Sequence, residues 1–353
     1  MNCRVVDAGS SQEWNDALAR APRTDIYFLP EYHRVHEING DGSAKAFVAQ
    51  EGPHMLVYPF MMRPIDHVAG EPLTEPWFDI ETVYGYGGPL ANTTDPAFLS
   101  EAWAAFASWC DQERVVAEFI RFHPLLNTHS FAASDCIISR DRETVLLELD
   151  DDEDALWQKY SSVHRNNIRK ATKNGFSCEE LEPREGMEVF KALYLQTMRR
   201  VAASRYYFFS DGYFDALVNL LGDRLKLFVV RKDDLVVAAS LILLHGDTVH
   251  YHLSASLDAY KTFKPVNLLL HTIALWSIAS GHRQVHLGGG RTPNPDDSLF
   301  TFKTSISRVR RKYYTGRCIR NAAAYEALCR RWMSRHGVSE RPGYFLLYRL
   351  EET

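Results

Sequence analysis

No apolar run in this sequence is long enough to cross a bilayer. The longest, VVAASLILL at 236–244, falls far short of the roughly 20 residues that a spanning helix needs. The opening residues, MNCRVVDAGSSQEWNDALAR, have no apolar stretch behind a basic start, so a secretory leader is not expected and a cytoplasmic protein is. Cysteine is sparse: Cys3, Cys110, Cys136, Cys178, Cys318 and Cys329 are scattered with no C-x-x-C pair, which fits reduced thiols better than a disulfide framework or a zinc site. Three signatures are missing as well. Without a G-x-S-x-G elbow, a P-loop or a G-x-G-x-x-G string, a serine hydrolase of the elbow type and the common nucleotide-binding folds lose their support. Nor is there an excess of positive charge. The formal net charge of -5 argues against a surface devoted as a whole to nucleic acid, and leaves only local basic patches open.

What is present suggests two domains, since 353 residues with 46% hydrophobic content can bury a sizeable core. The chain also repeats itself. KAFVAQEGPHMLVYPFMMR from Lys45 aligns without a gap on KLFVVRKDDLVVAASLILL from Lys226, matching Lys45 with Lys226, Phe47 with Phe228, Val48 with Val229, and Phe60–Met62 with Leu241–Leu243. Each copy reads as a β-hairpin around a short polar turn. A further strand candidate follows in each half, ETVYGYGGPL and TVHYHLSAS. Next come a helix with a tryptophan (Trp109, Trp276) and another strand, VVAEFIRF and QVHLGGG. Two similar α/β domains with mixed sheets are therefore expected, spanning 1–150 and 151–353. The acidic run in LELDDDEDALW marks the boundary and has the composition of a helix start.

Chemistry concentrates in VHLGGGRTPNPDDSLFTFKTSIS, residues 285–307. Gly288, Gly289 and Gly290 would let a substrate backbone approach a strand end, although a plain strand exit would use glycine too. In an extended segment Phe300 and Phe302 share one face and Lys303 takes the other. His250 and His252 would also share a face, but no third or fourth ligand accompanies them, so no metal is expected. Basic residues cluster twice. Arg165, Arg169 and Lys173 fall at i, i+4 and i+8 of a helix pattern, and Arg308, Arg310 and Arg311 lie in RVRRKYYTGR; each set serves either as a solvated face or as a contact for phosphates.

The segments YGYGGPL, RNNIRKATKNG, YHLSAS followed by a tyrosine and a long helix, and LGGG followed by LFTFK together resemble the FemABX family of aminoacyl-tRNA-dependent aminoacyltransferases. The resemblance runs from about residue 27 to 325. It implies two tandem GNAT-like domains and transfer of an amino acid from charged tRNA to an amine, on a peptidoglycan precursor or a peptide-like small molecule, without a cofactor. It also implies roles: Lys303 and Tyr251 catalytic; Arg205, Tyr207 and Tyr213 around acceptor phosphates; Asp79 and Tyr86 at the mouth of the first domain; Gly288–Gly290 and Phe302 against substrate; the two basic clusters on tRNA. The chain departs from the family after its Gly-Pro, where Asn92 stands near the place of an aspartate, and it shows no heptad run for a coiled-coil arm. The rival donor is acyl-CoA, which related domains cradle with a Q/R-x-x-G-x-G/A loop that this sequence lacks. A binding protein without chemistry is the other alternative.

Overall fold

The computed structural model describes residues 1–150 and 152–350. Strands in chain order are β1 (Asn2–Asp7), β2 (Ser43–Glu51), β3 (His54–Val68), β4 (Glu71–Glu81), β5 (Leu90–Ala91), β6 (Val115–Arg121), β7 (Ile137–Glu148), β8 (Phe176–Leu181), β9 (Leu225–Lys232), β10 (Leu235–His245), β11 (Thr248–Ser256), β12 (Gln284–Gly289) and β13 (Arg310–Ile319). The two hairpins found by self-alignment are β2–β3 and β9–β10. Both are antiparallel, and the tight turns are made at Gly52 (φ 54°) and Asp233 (φ 52°). The two tryptophan helices are Pro96–Gln112 and Pro265–Ala279, each opened by a proline whose fixed φ suits the first turn.

The chain divides into two compact units, Met1–Asp141 with Tyr313–Thr353, and Arg142–Lys312. A single boundary at residue 150 does not describe this division. In the first unit the strand order is β1-β2-β3-β4-β6-β13, with β5 beside β3. In the second it is β8-β9-β10-β11-β12-β7. Both sheets run antiparallel three times, then parallel (β4 with β6, β11 with β12), then antiparallel. The last strand of each sheet comes from outside the expected limits. β7 follows the first unit's β6 in sequence yet pairs with β12, and β13 follows β12 yet pairs with β6. Local pattern could not reveal this exchange, because pairing partners more than a hundred residues apart leave no periodic trace.

Each unit has its own core. Val145, Leu147, Phe228, Val230, Leu269, Ile273 and Val285 are among the residues packed inside the second unit, and Phe47, Tyr58, Phe60, Phe98, Phe106 and Ile120 among those inside the first. The third strand of the first half lies upstream of the expected one: residues 71–81 form β4, whereas YGYGGPL is mostly loop. The acidic run does start a helix, Glu153–Lys159, with the Asp152 carboxylate accepting from the N–H groups of Asp154 and Ala155. The cysteine expectation needs correction: Cys136 and Cys318, Cα atoms 4.6 Å apart, form a disulfide in the first unit, while Cys3, Cys110, Cys178 and Cys329 are free. The two cysteines are 182 apart in sequence, and Cys318 lies on β13, which pairs with the distant β6, so spacing could not show the link. Among the described residues no helix is long and apolar enough to cross a membrane.

Candidate active site

In the second unit the parallel strands β11 and β12 begin as neighbours and then part. They pair from Thr248–Gln284 through His250–His286 only. Beyond that point β11 stays with β10, Tyr251 opposite Ile242 and Ser256 opposite Ala238. β12 stays with β7, its partner from Gln284 onward, placing Gly288 opposite Val145 and Gly289 opposite Thr144 across a bulge between His286 and Gly288. Gly288 has φ 73°, a left-handed conformation that a residue with a Cβ adopts at a cost. The parallel pairing ends where β11 and β12 each meet a bulge with the other neighbour, β10 and β7, and this opens a cleft in the sheet between them.

Lys303 sits at this opening. Its segment is a helix, Ser298–Thr304, and not the extended stretch expected from alternation. Asp297 at the N-cap accepts from the N–H groups of Leu299 and Phe300, both at 3.0 Å, which explains the helix. Phe300 is consequently buried and Phe302 half-buried, both packed with the second unit's core. The Lys303 side chain turns inward; the residue is 7% exposed, and its Nζ donates to the Gly289 carbonyl at 2.7 Å. The Tyr251 ring centroid is 6.0 Å from that nitrogen. Burial pulls the Lys303 ammonium down to about 7, against the opposing pull of the Asp297 carboxylate. Burial likewise pushes the Tyr251 hydroxyl up to about 12, with the Ser254 hydroxyl acting the other way. At neutral pH the site therefore holds an amine that can both give and accept a proton beside a phenol that stays protonated.

The remaining glycines have separate reasons. A Cβ at Gly290 would lie 2.6 Å from Asp297 Oδ1, and one at Gly289 would lie 3.0 Å from the Glu143 carbonyl oxygen. Their smallness thus admits the protein's own groups as much as any substrate. The bulge between Leu241 and Ile242 in β10–β11 falls at His252, whose Nε2 lies 2.9 Å from the Tyr213 hydroxyl.

Other expected residues fall elsewhere. Tyr213 is fully buried and stacked on Phe209 with ring centroids 4.1 Å apart, so it supports His252 from within the core. Arg205 and Tyr207 form an exposed 3-10 turn, Arg205–Tyr207, whose Tyr207 carbonyl accepts from Tyr194. In the first unit Asp79 is fully buried and does not reach a mouth. Arg63 (2.8 Å) and Arg349 (2.9 Å) hold it; burial alone would raise its carboxyl, but the two guanidinium groups keep it below the usual carboxylate range. Tyr86 packs edge-on against Tyr27 and Tyr313.

The basic stripe does lie on one helix, Ser162–Lys173. Its members differ: Arg165 donates to the carbonyls of Trp157 (3.2 Å) and Tyr160 (2.7 Å) and so caps the end of the preceding helix, while Arg169 and Lys173 are exposed. Arg308 is exposed, Arg310 pairs with Glu143 at 3.3 Å, and Arg311 with Glu148 at 3.0 Å. Sequence reasoning passed over Asp297 and Arg142, whose guanidinium donates to the Gly290 carbonyl at 2.9 Å. The Asp-Ser-Leu-Phe order was the available cap signal for the former. Arg142 left none, because β7 reaches β12 only through the strand exchange.

Residues 159–294 match the family of GNAT acetyltransferase domains. In fold, the chain is similar to FemX (TM-score 0.69, 15% identity, covering 93% of this chain and 99% of that one). It is also similar to L-PGS from Bacillus licheniformis (TM-score 0.57, 11% identity, 94% and 97%) and to a tandem GNAT protein from the clavulanic acid biosynthesis pathway (TM-score 0.51, 12% identity, 91% and 99%). No curated protein matches it in sequence.

Proposed function

We propose that this chain, a FemABX-like tandem GNAT protein, transfers an aminoacyl group from charged tRNA to the amine of a peptidoglycan precursor or peptide-like small molecule. It is a GNAT-type acyltransferase; the proposal concerns donor and acceptor. The observation that carries it is the buried Lys303 amine, docked at 2.7 Å on Gly289 where β11 and β12 part. An aminoacyl ester is already activated, so the reaction needs orientation, a proton acceptor and charge stabilisation, and neither metal nor nucleotide. The acceptor amine attacks the ester carbonyl carbon. A C–N bond forms, the C–O bond to the ribose breaks, the proton leaving the amine passes to neutral Lys303, and the resulting ammonium protonates the departing ribose oxygen. Peptide N–H groups at the open strand edges and the protonated Tyr251 are suited to the oxyanion. Arg205 and Tyr207 are candidates for acceptor phosphates, and Arg169, Lys173 and Arg308 for tRNA phosphates. Support for a tRNA donor over acyl-CoA comes from the segment between β11 and the helix Pro265–Ala279: it holds no glycine and enters that helix through Lys264.

The test incubates the protein with a pool of charged tRNA bearing labelled amino acids and a small-molecule extract, beside a parallel assay for thiol release from acyl-CoA. Expected is transfer of label into an RNase-resistant small product, reduced at least about 100-fold in Lys303→Ala. Thiol release with untouched tRNA would assign the CoA donor instead. Activity unchanged in Lys303→Ala would remove the lysine from the reaction.

A further inference from the structure

Between Gly289 and Lys303 the chain leaves β12, makes a loop and returns as a short helix. One carboxylate ties the two ends together. Asp297 Oδ1 accepts from Leu299 N and Phe300 N of the helix, both at 3.0 Å. Its Oδ2 accepts from Arg291 N and Thr292 N, both at 3.2 Å, and from the Thr292 hydroxyl at 3.3 Å. The loop side of this arrangement needs glycine at 290, where a Cβ would meet Oδ1 at 2.6 Å and Phe300 Cβ at 3.0 Å. Arg142 of β7 holds the Gly290 carbonyl from the other side. Two turns of chain are thus pinned to one acidic group, and the amine of Lys303 is docked on the residue just before the pinned loop.

We infer that Asp297 is a positioning residue for Lys303, fixing the short helix against the end of β12 so that the lysine amine is held at the strand opening. This inference rests on the reading of Lys303 as the proton-transferring group. A simple cap needs only the two helix N–H groups; the three loop contacts are additional, and they fall on the side that bears Gly289. Burial would push the Asp297 carboxyl up, but the four N–H groups aimed at it more than offset this and hold it below the usual carboxylate range, so it is charged at neutral pH. That charge opposes the loss of the Lys303 proton. Among the other titratable groups around the lysine, Tyr251 on β11 presents its ring, Arg142 on β7 is bound to Gly290, and Glu143 on β7 is engaged by Arg310. Asp297 is the acidic group that acts on Lys303.

The experiment measures the titration of Lys303 directly, by competitive acetylation with acetic anhydride across pH and mass spectrometry of the peptide carrying it. Full-length wild-type, Asp297→Asn and Asp297→Glu proteins are compared, with transfer kinetics on the same samples. Wild-type Lys303 is expected to titrate near 7. In Asp297→Asn the midpoint falls by about half a unit or more and kcat drops about 10-fold or more with KM little changed. Asp297→Glu restores the midpoint and not kcat, because the charge returns while the loop contacts are displaced by a methylene. Folded Asp297→Asn protein with wild-type Lys303 titration and kcat would reduce Asp297 to a helix cap and overturn the inference. Should Asp297→Asn fail to fold, Thr292→Val removes one loop contact alone and is expected to lower kcat measurably at unchanged melting temperature; no change there would equally overturn it. The labelling arm reads positioning without any donor, so absence of transfer would sink the proposed function and leave this test standing.

Discussion

The two units share one sheet order and treat the same place in it in opposite ways. In the second unit β11 and β12 separate after His250 and His286, and a lysine occupies the opening. In the first unit the matching pair, β4 and β6, is followed by the chain's own return. Thr82 N donates to the Phe119 carbonyl, Arg121 N donates to the Thr82 hydroxyl, Gly87 N donates to the Arg121 carbonyl, and His123 N donates to the Gly87 carbonyl. The peptide groups of β6 that would line an opening are thus taken up by residues 82–87. Thr82 makes two of these bonds and Gly87 of YGYGGPL the other two. Gly85 (φ 104°) and Gly88 (φ 92°) allow it, since a Cβ at the first would lie 2.4 Å from the Tyr27 ring and at the second 2.8 Å from both Phe122 and the Thr128 hydroxyl. A duplicated fold can therefore leave one copy open and seal the other, and the difference lies in whether hydrogen-bonding groups at the parallel pair's end are satisfied internally.

Filling the seal should have the largest effect. Gly88→Val adds both a clash and a strained φ, and an expected loss of about 3 kcal/mol is measurable by denaturant unfolding, with transfer activity of the folded fraction retained. If the folded fraction loses transfer activity, the first unit is part of the chemistry and the contrast fails. The open copy should respond in the other direction. Lys303→Met removes a buried amine whose pKa lies near 7 in the fold and near 10.5 in the unfolded chain. Below about 7 the folded chain carries the full cost of the buried ammonium. Between the two values the unfolded chain binds more protons, so wild-type stability rises with pH. The Met variant is therefore expected to be more stable by about 2 kcal/mol at pH 6, the gain shrinking as pH approaches 10, while transfer is lost. A gain that does not vary with pH would show that the amine is not held in the way described. The smallest effects sharpen the comparison inside the second unit. Arg169→Ala with Lys173→Ala should weaken charged-tRNA binding about 3- to 10-fold at unchanged melting temperature and flatten its salt dependence, whereas Arg165→Ala should cost about 1 kcal/mol of stability by releasing two carbonyls. Equal behaviour of the three would return the stripe to an ordinary solvated face.

Much of this was readable beforehand, and the misses share a cause. The hairpins, the tryptophan helices and the glycine-rich strand end follow from short-range periodicity and turn chemistry, which is why Lys45 and Lys226 could be superposed from sequence. Lys303 was expected in an extended segment and lies in a helix, because Phe300 and Phe302 alternate as in a strand while the Asp297 cap decides for a helix. Asp79 was expected at the mouth of the first domain; Arg63 and Arg349, 16 positions before it and 270 after it, enclose it. Arg165 matched its neighbours in charge and spacing, and only the end of the helix Glu153–Lys159 beside it shows that its hydrogen bonds are committed.

By itself the sequence determined the repeat, the element types and the presence of a lysine behind a glycine-rich strand, since these depend on residue periodicity and on the φ preferences of glycine and proline. The tertiary structure alone decided the exchange of β7 and β13, the Cys136–Cys318 link and the sealing of the first unit's strand pair. It also decided the burial that brings the Lys303 amine near neutrality. Each of these depends on which distant segments come to share hydrogen bonds and exclude water, and pairing across more than a hundred residues is set by the packed whole.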